Sequence, residues 1–215
     1  MSKIIVAGDS IAYGKWDSKG GWVARLRNYI DENYNIGKGG NFQVYNLGIP
    51  GEIVPRLSER FEKELEMRLP ENEKTNKKNL VIFAVGINDS CPNNWLGLKQ
   101  TPENEFKFSF ENMINSARKY NCKMVVIGLT PVNSEKSKGL LFSDNEVKKY
   151  DRYLSEICRS NQIPKLELFD DLYSINFSNL LVDAVHPNDK GHEIMFEKIK
   201  EYLTSQKLFE YLIVE

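Results

Sequence analysis

Apolar strand-like runs separated by amphipathic helical stretches constrain this chain more than any other feature. Ile4, Ile5, Val6 and Ala7 form an uninterrupted apolar run, and residues 80–85 and 124–129 form two more. Runs of this kind, rich in β-branched residues, read as strands covered on both faces, the environment of a parallel sheet. Residues 42–46 supply another short strand, and residues 165–169 a fifth of modest apolar content. Trp22, Val23, Leu26, Tyr29 and Ile30 recur at helical spacing and predict a helix over 22–33. Leu57, Phe61 and Leu65 mark a second helix, Phe106, Phe110 and Met113 a third, and Val147, Tyr150 and Leu154 a fourth. Met195, Phe196, Ile199 and Leu203 mark a last helix, with Asn188 as its N-cap. Strict alternation predicts an α/β fold: a parallel sheet with right-handed crossovers and helices on both faces. Residues 11–21, 46–51, 91–102 and 133–143 read as loops, 71–79 as a surface connection, and the apolar tail 208–214 as packing on the body.

A length of 215 residues predicts one domain over 1–215, with a core that needs no disulfide or metal staple. With 29 basic and 30 acidic residues, the chain has no field to attract nucleic acid or an anionic membrane. Cys91, Cys122 and Cys158 are odd in number and widely spaced, form no zinc pattern, and fit a reducing compartment. No basic, apolar leader precedes the first strand, and no window approaches the ~18 apolar residues of a membrane span. The expectation is a cytoplasmic protein without a membrane span or a nucleic-acid partner.

Chemistry gathers at the strand ends. Ser10 follows the first strand, Gly48 the second and Asn88 the third, while Asp183 and His186 precede the last helix. In a doubly wound sheet ordered 2-1-3-4-5, strands two, one and three are neighbours, and ligands bind at their carboxyl edge. Ser10, Gly48 and Asn88 would then share one rim, across which the loop after strand five can deliver His186. A serine hydroxyl needs a base, His is the usual one near neutral pH, and Asp183 can fix the imidazole through its other nitrogen. The Ser10 and Gly48 N–H groups and the Asn88 amide can stabilise an oxyanion. Singly, each is an ordinary turn residue; their coincidence at one edge carries the reading. The other histidine, His192, lies inside the last helix and reads as structural.

The ordered blocks Gly8-Asp9-Ser10, Gly48, Gly86-Ile87-Asn88-Asp89 and Asp183-Ala184-Val185-His186 resemble the SGNH, or GDSL-type, hydrolase family. One departure is Ile11, where that family's first block carries Leu. The resemblance covers nearly the whole chain. It implies a flavodoxin-like three-layer α/β/α sandwich with a five-stranded parallel sheet, and a serine esterase or lipase that needs no metal or cofactor. It implies Ser10 as nucleophile, His186 as base and Asp183 as its orienter, with Ser10, Gly48 and Asn88 as the oxyanion hole.

Other classes fit less well. Five residues rather than four separate Gly8 from Gly14, and Trp16 stands where a phosphate loop places Ser or Thr. Ala12 breaks the Gly-x-Ser-x-Gly elbow of the α/β-hydrolases. A non-catalytic small-molecule or nucleotide-binding module on the same scaffold is the alternative. Trp95, Leu96, Leu98, Leu140 and Phe142 either wall an acyl pocket or pack beneath their loops. Small soluble esters are the expected substrates.

Overall fold

Five strands, β1 (Ser2–Gly8), β2 (Phe42–Asn46), β3 (Asn79–Ala84), β4 (Cys122–Ile127) and β5 (Lys165–Leu166), pair in parallel in the order β2-β1-β3-β4-β5. The computed structural model describes residues 2–69, 78–92, 97, 99–137, 139 and 141–213. Register sets the rim: Val6 faces Asn46 on one side, and Gly8 faces Ala84 on the other. The carboxyl ends of β1 and β3 therefore lie level, and β2 ends two residues short of them, before the loop that carries Gly48. Every residue of β1 is buried, as a central strand covered on both faces requires.

Helices α2 (Gly21–Ile30), α7 (Asp189–Ser205) and α8 (Leu208–Leu212) pack together on one side of the sheet. On the other side lie α3 (Val54–Arg68), α4 (Glu103–Lys119) and α5 (Asp144–Asn161). The helical stripes read from sequence are the buried ones: Leu57, Phe61, Phe106, Phe110, Leu154 and Ile199 have essentially no exposure. The tail packs as expected, burying Leu208, Phe209 and Leu212, while the Ser2 hydroxyl donates to the Leu212 carbonyl at 2.7 Å. Among the described residues no helix is long and apolar enough to cross a membrane.

The structure differs from the sequence expectation in four places. A four-residue helix, α1 (Ser10–Tyr13), opens the segment expected to be loop, because Asp9 caps it by accepting the Ile11 N–H at 2.9 Å. Helix α2 ends at Ile30 and continues as a wider turn over Asp31–Asn35. Strand β4 begins and ends two residues early, since the Leu129 N–H turns to the Asp151 carboxylate at 2.8 Å instead of the sheet. Strand β5 has only two residues; Phe169 starts a helix, α6 (Phe169–Ser174), that buries Phe169 and Leu172. Trp95, Leu96, Leu98, Leu140 and Val214, with most of the 71–79 connection, lie outside the described residues. Phe142 is buried and packs in the core.

Candidate active site

Ser10 is the first residue of α1, directly beyond the carboxyl end of β1. Its N–H is among the first-turn amides that a helix leaves without an intrahelical acceptor. Gly8 makes this turn possible: a Cβ there would sit 2.4 Å from the Ala12 Cβ and 2.8 Å from the Ala84 carbonyl oxygen. The segment before α7 folds back on itself. The Val182 N–H donates to the His186 carbonyl and the Asn188 N–H to the Leu180 carbonyl, each at 2.8 Å. This small antiparallel pairing of Leu181 with Pro187 holds His186 over the rim.

The two segments, 176 residues apart in sequence, meet at the Ser10 hydroxyl, whose Oγ lies 2.8 Å from His186 Nε2. His186 Nδ1 lies 2.8 and 2.7 Å from the two Asp183 oxygens. An ionised carboxylate can only accept, so Nδ1 carries the proton and Nε2 is left to accept from Ser10. Partial burial works to raise the Asp183 pKa. Hydrogen bonds from the His186 side chain and the His186 and Val185 N–H groups outweigh it and hold the carboxyl well below the usual carboxylate range. Ser10 and His186 are each about 1% exposed, so little water competes for their contact.

Gly48 packs against α1, and Asn88 follows the carboxyl end of β3. A Cβ on Gly48 would stand 2.5 Å from the Tyr13 amide nitrogen and 2.7 Å from the Asp9 carbonyl oxygen, so only glycine fits against α1. The Gly48 N–H donates to Asn46 Oδ1 at 2.9 Å, while Asn46 Nδ2 donates to the Ala12 carbonyl at 2.7 Å. Asn88 is buried, its Nδ2 donating to the Glu52 carbonyl at 3.0 Å. That bond fixes the amide's orientation and uses one of its two hydrogens. His192 is fully buried in α7, with Nε2 3.3 Å from the Lys15 carbonyl oxygen and burial lowering its pKa.

These contacts lie on a sequence that matches the GDSL-like Lipase/Acylhydrolase family over residues 6–194. The chain belongs to that family. Membership makes it a hydrolase of the esterase and acylhydrolase kind. Among solved structures, GDSL-like folds superpose over nearly their whole length. A lipase/acylhydrolase from Enterococcus faecalis has 19% identity and a TM-score of 0.73, covering 96% of this chain and 97% of its own. The acetyl xylan esterase AlAXEase has 22% identity and a TM-score of 0.74, covering 94% and 99%. The esterase EstA from Pseudoalteromonas sp., in a structure inhibited by monoethylphosphonate, has 17% identity and a TM-score of 0.68, covering 95% and 97%. A comparison with curated protein sequences gave no match.

Three further groups of residues shape the GDSL-like rim. Asn46 ties α1 to the Gly48 loop, and the Asn-x-Gly pattern after a strand was its signal. Trp16 donates its indole N–H to Asp183 Oδ2 at 3.0 Å. Two buried carboxylates lie under the rim. Burial pushes Asp9 up to about 7, opposed by the Ile11 and Ala12 N–H groups and reinforced by the charge of Glu52. Burial likewise raises Asp89 to about 7, although the Thr101 hydroxyl at 2.7 Å and the Val54 N–H at 3.1 Å favour its ionised form.

Proposed function

We propose that this GDSL-family hydrolase cleaves carboxylic esters through an acyl-enzyme, with Ser10 as nucleophile, His186 as general base and Asp183 as its orienter. The observation that carries the reading is the continuous chain Ser10 Oγ–His186 Nε2 at 2.8 Å and His186 Nδ1–Asp183 at 2.7 Å. As Ser10 attacks the ester carbonyl, its proton passes to His186 Nε2, and Asp183 supports the resulting imidazolium. The oxyanion forms near the first turn of α1, where the Ser10 N–H and the second Asn88 amide hydrogen stabilise it. The Gly48 N–H joins them by sharing its hydrogen with Asn46 or exchanging it. Each such donor is worth about 3 kcal/mol in the transition state. The imidazolium then protonates the leaving alcohol. A water, activated by the same base, releases the acid and restores Ser10.

Short acyl groups on small soluble alcohols fit best, because a nucleophile only about 1% exposed leaves little room for a bulky acyl chain. The test is steady-state hydrolysis of p-nitrophenyl esters graded from acetate to long chains. We expect acetate and butyrate to be turned over fastest. Ser10→Ala and His186→Ala should each lower kcat by at least about 10³-fold. Wild-type rates in either folded variant would exclude the mechanism, and a preference for long chains would exclude the substrate class.

A further inference from the structure

Trp16 is an unusual residue for its place. Among the described residues five non-glycine residues have positive φ; Asn121, Gln162, Asn176 and Lys207 are polar and flank helix ends. Trp16, with φ of 69°, is the aromatic exception, and a bulky side chain disfavours this region. Its side chain gains little from burial, since the residue is 56% exposed. What the conformation achieves is polar: the indole Nε1–H reaches Asp183 Oδ2 at 3.0 Å, across 167 residues of sequence.

The backbone on both sides of Trp16 is fixed from other elements. His192 of α7 lies against the Lys15 carbonyl, and the Ser18 N–H donates to Asp189 Oδ1 at 3.0 Å. The Asp17 carboxylate, fully buried, pairs with Arg25 of α2 and accepts the Gly21 N–H at 2.6 Å. The Lys15 ammonium stands 5.2 Å from the Trp16 ring centroid. The segment after Ser10 is thus clamped to α2 and α7, and the clamp presents the indole to Asp183. The Val185 and His186 N–H groups and the His186 ring, which also donate to Asp183, belong to its own turn. Trp16 supplies the donor that comes from the nucleophile's side.

We infer that Trp16 is a positioning residue for the ester hydrolysis proposed above. Its indole N–H fixes the rotation of the Asp183 carboxylate, so that the His186 imidazole is held in line with the Ser10 hydroxyl. The inference rests on that hydrolase reading. Three segments then define the geometry: the turn carrying Asp183 and His186, the start of α1, and the clamped loop joining α1 to α2.

The test compares Trp16→Phe, which keeps a ring but lacks the donor, with wild type and with Asp183→Asn. Loss of one hydrogen bond to a charged group should lower kcat about tenfold while KM stays within about twofold. Trp16→Gly relieves the backbone and should melt no lower than Trp16→Phe, yet lose at least as much kcat. In an Asp183→Asn background, Trp16→Phe should cost less than about twofold, because both changes act through one contact. The downfield NMR signal of the His186 Nδ1 proton, read without substrate, should shift or broaden in Trp16→Phe. Unchanged kcat and an unchanged proton signal in an active enzyme overturn the Trp16 role alone, as does an undiminished loss in the Asp183→Asn background. A folded wild type without esterase activity overturns the hydrolase reading, and the inference with it.

Discussion

At the scale of single residues, the site depends on which groups touch and which merely lie near. His192 illustrates the second case. It is the only other histidine, yet its Nε2 faces the Lys15 carbonyl and its ring is sealed within α7. Replacing it with Ala opens a cavity, and buried large-to-small changes typically cost about 2–5 kcal/mol. His192→Ala should therefore melt lower but keep kcat within about fivefold at temperatures where it stays folded. Paired urea melts and ester kinetics check this; a collapse of kcat in the folded variant would make His192 the base. The meeting of Ser10, Asp183 and His186 was legible from sequence, because each sits beside an element end and carries chemistry its neighbours lack. Trp16 was not. Its partner lies on a distant segment, and a left-handed tryptophan leaves no trace in residue order.

Elements were legible in proportion to their hydrophobic period. Strands β1 and β3 read plainly, because runs such as Ile4-Ile5-Val6-Ala7 admit no other environment. The last strand and α6 did not. Leu166, Leu168 and Phe169 look like one extended run, but Gly128 bonds Leu166 to β4 and the chain then turns, burying Phe169 in a helix. That outcome is decided by the edge of the sheet rather than by local propensity. Helix α1 leaves no mark in the sequence for a related reason. Four residues carry no period, and only the Asp9 cap and the close fit at Gly8 reveal them. The site gains from both. A short helix starting at Ser10 aims its first amides at the rim, and the self-paired turn over Leu181–Pro187 holds the imidazole opposite.

For the whole molecule, the rim is built over carboxyl groups that burial keeps hard to ionise. Asp9 caps α1, and Asp89 holds the start of α3 through the Val54 N–H. Each is raised to about 7, from an ordinary value of 3.8. Between those values the folded state retains a proton that the unfolded chain has released. Both groups therefore lose stability for the fold as pH rises from 4 to 7, at about 1.4 kcal/mol per tenfold change in proton affinity. His192, with its pKa lowered by burial, opposes this by favouring the fold as pH rises. Comparing Asp9→Asn and Asp89→Asn with wild type isolates the carboxyl effect. Each variant should gain stability relative to wild type between pH 4 and pH 8 in urea melts. A difference that stays flat with pH would show that neither carboxyl is held protonated.

The central claim is that a proton shared across 176 residues of sequence activates one hydroxyl. Labelling the folded protein with a fluorophosphonate at neutral pH, and locating the adduct by peptide mass spectrometry, tests it most directly. One equivalent on Ser10, with labelling slowed by at least about 10²-fold in His186→Ala, is the predicted result. An unlabelled Ser10, or labelling indifferent to His186, would contradict it.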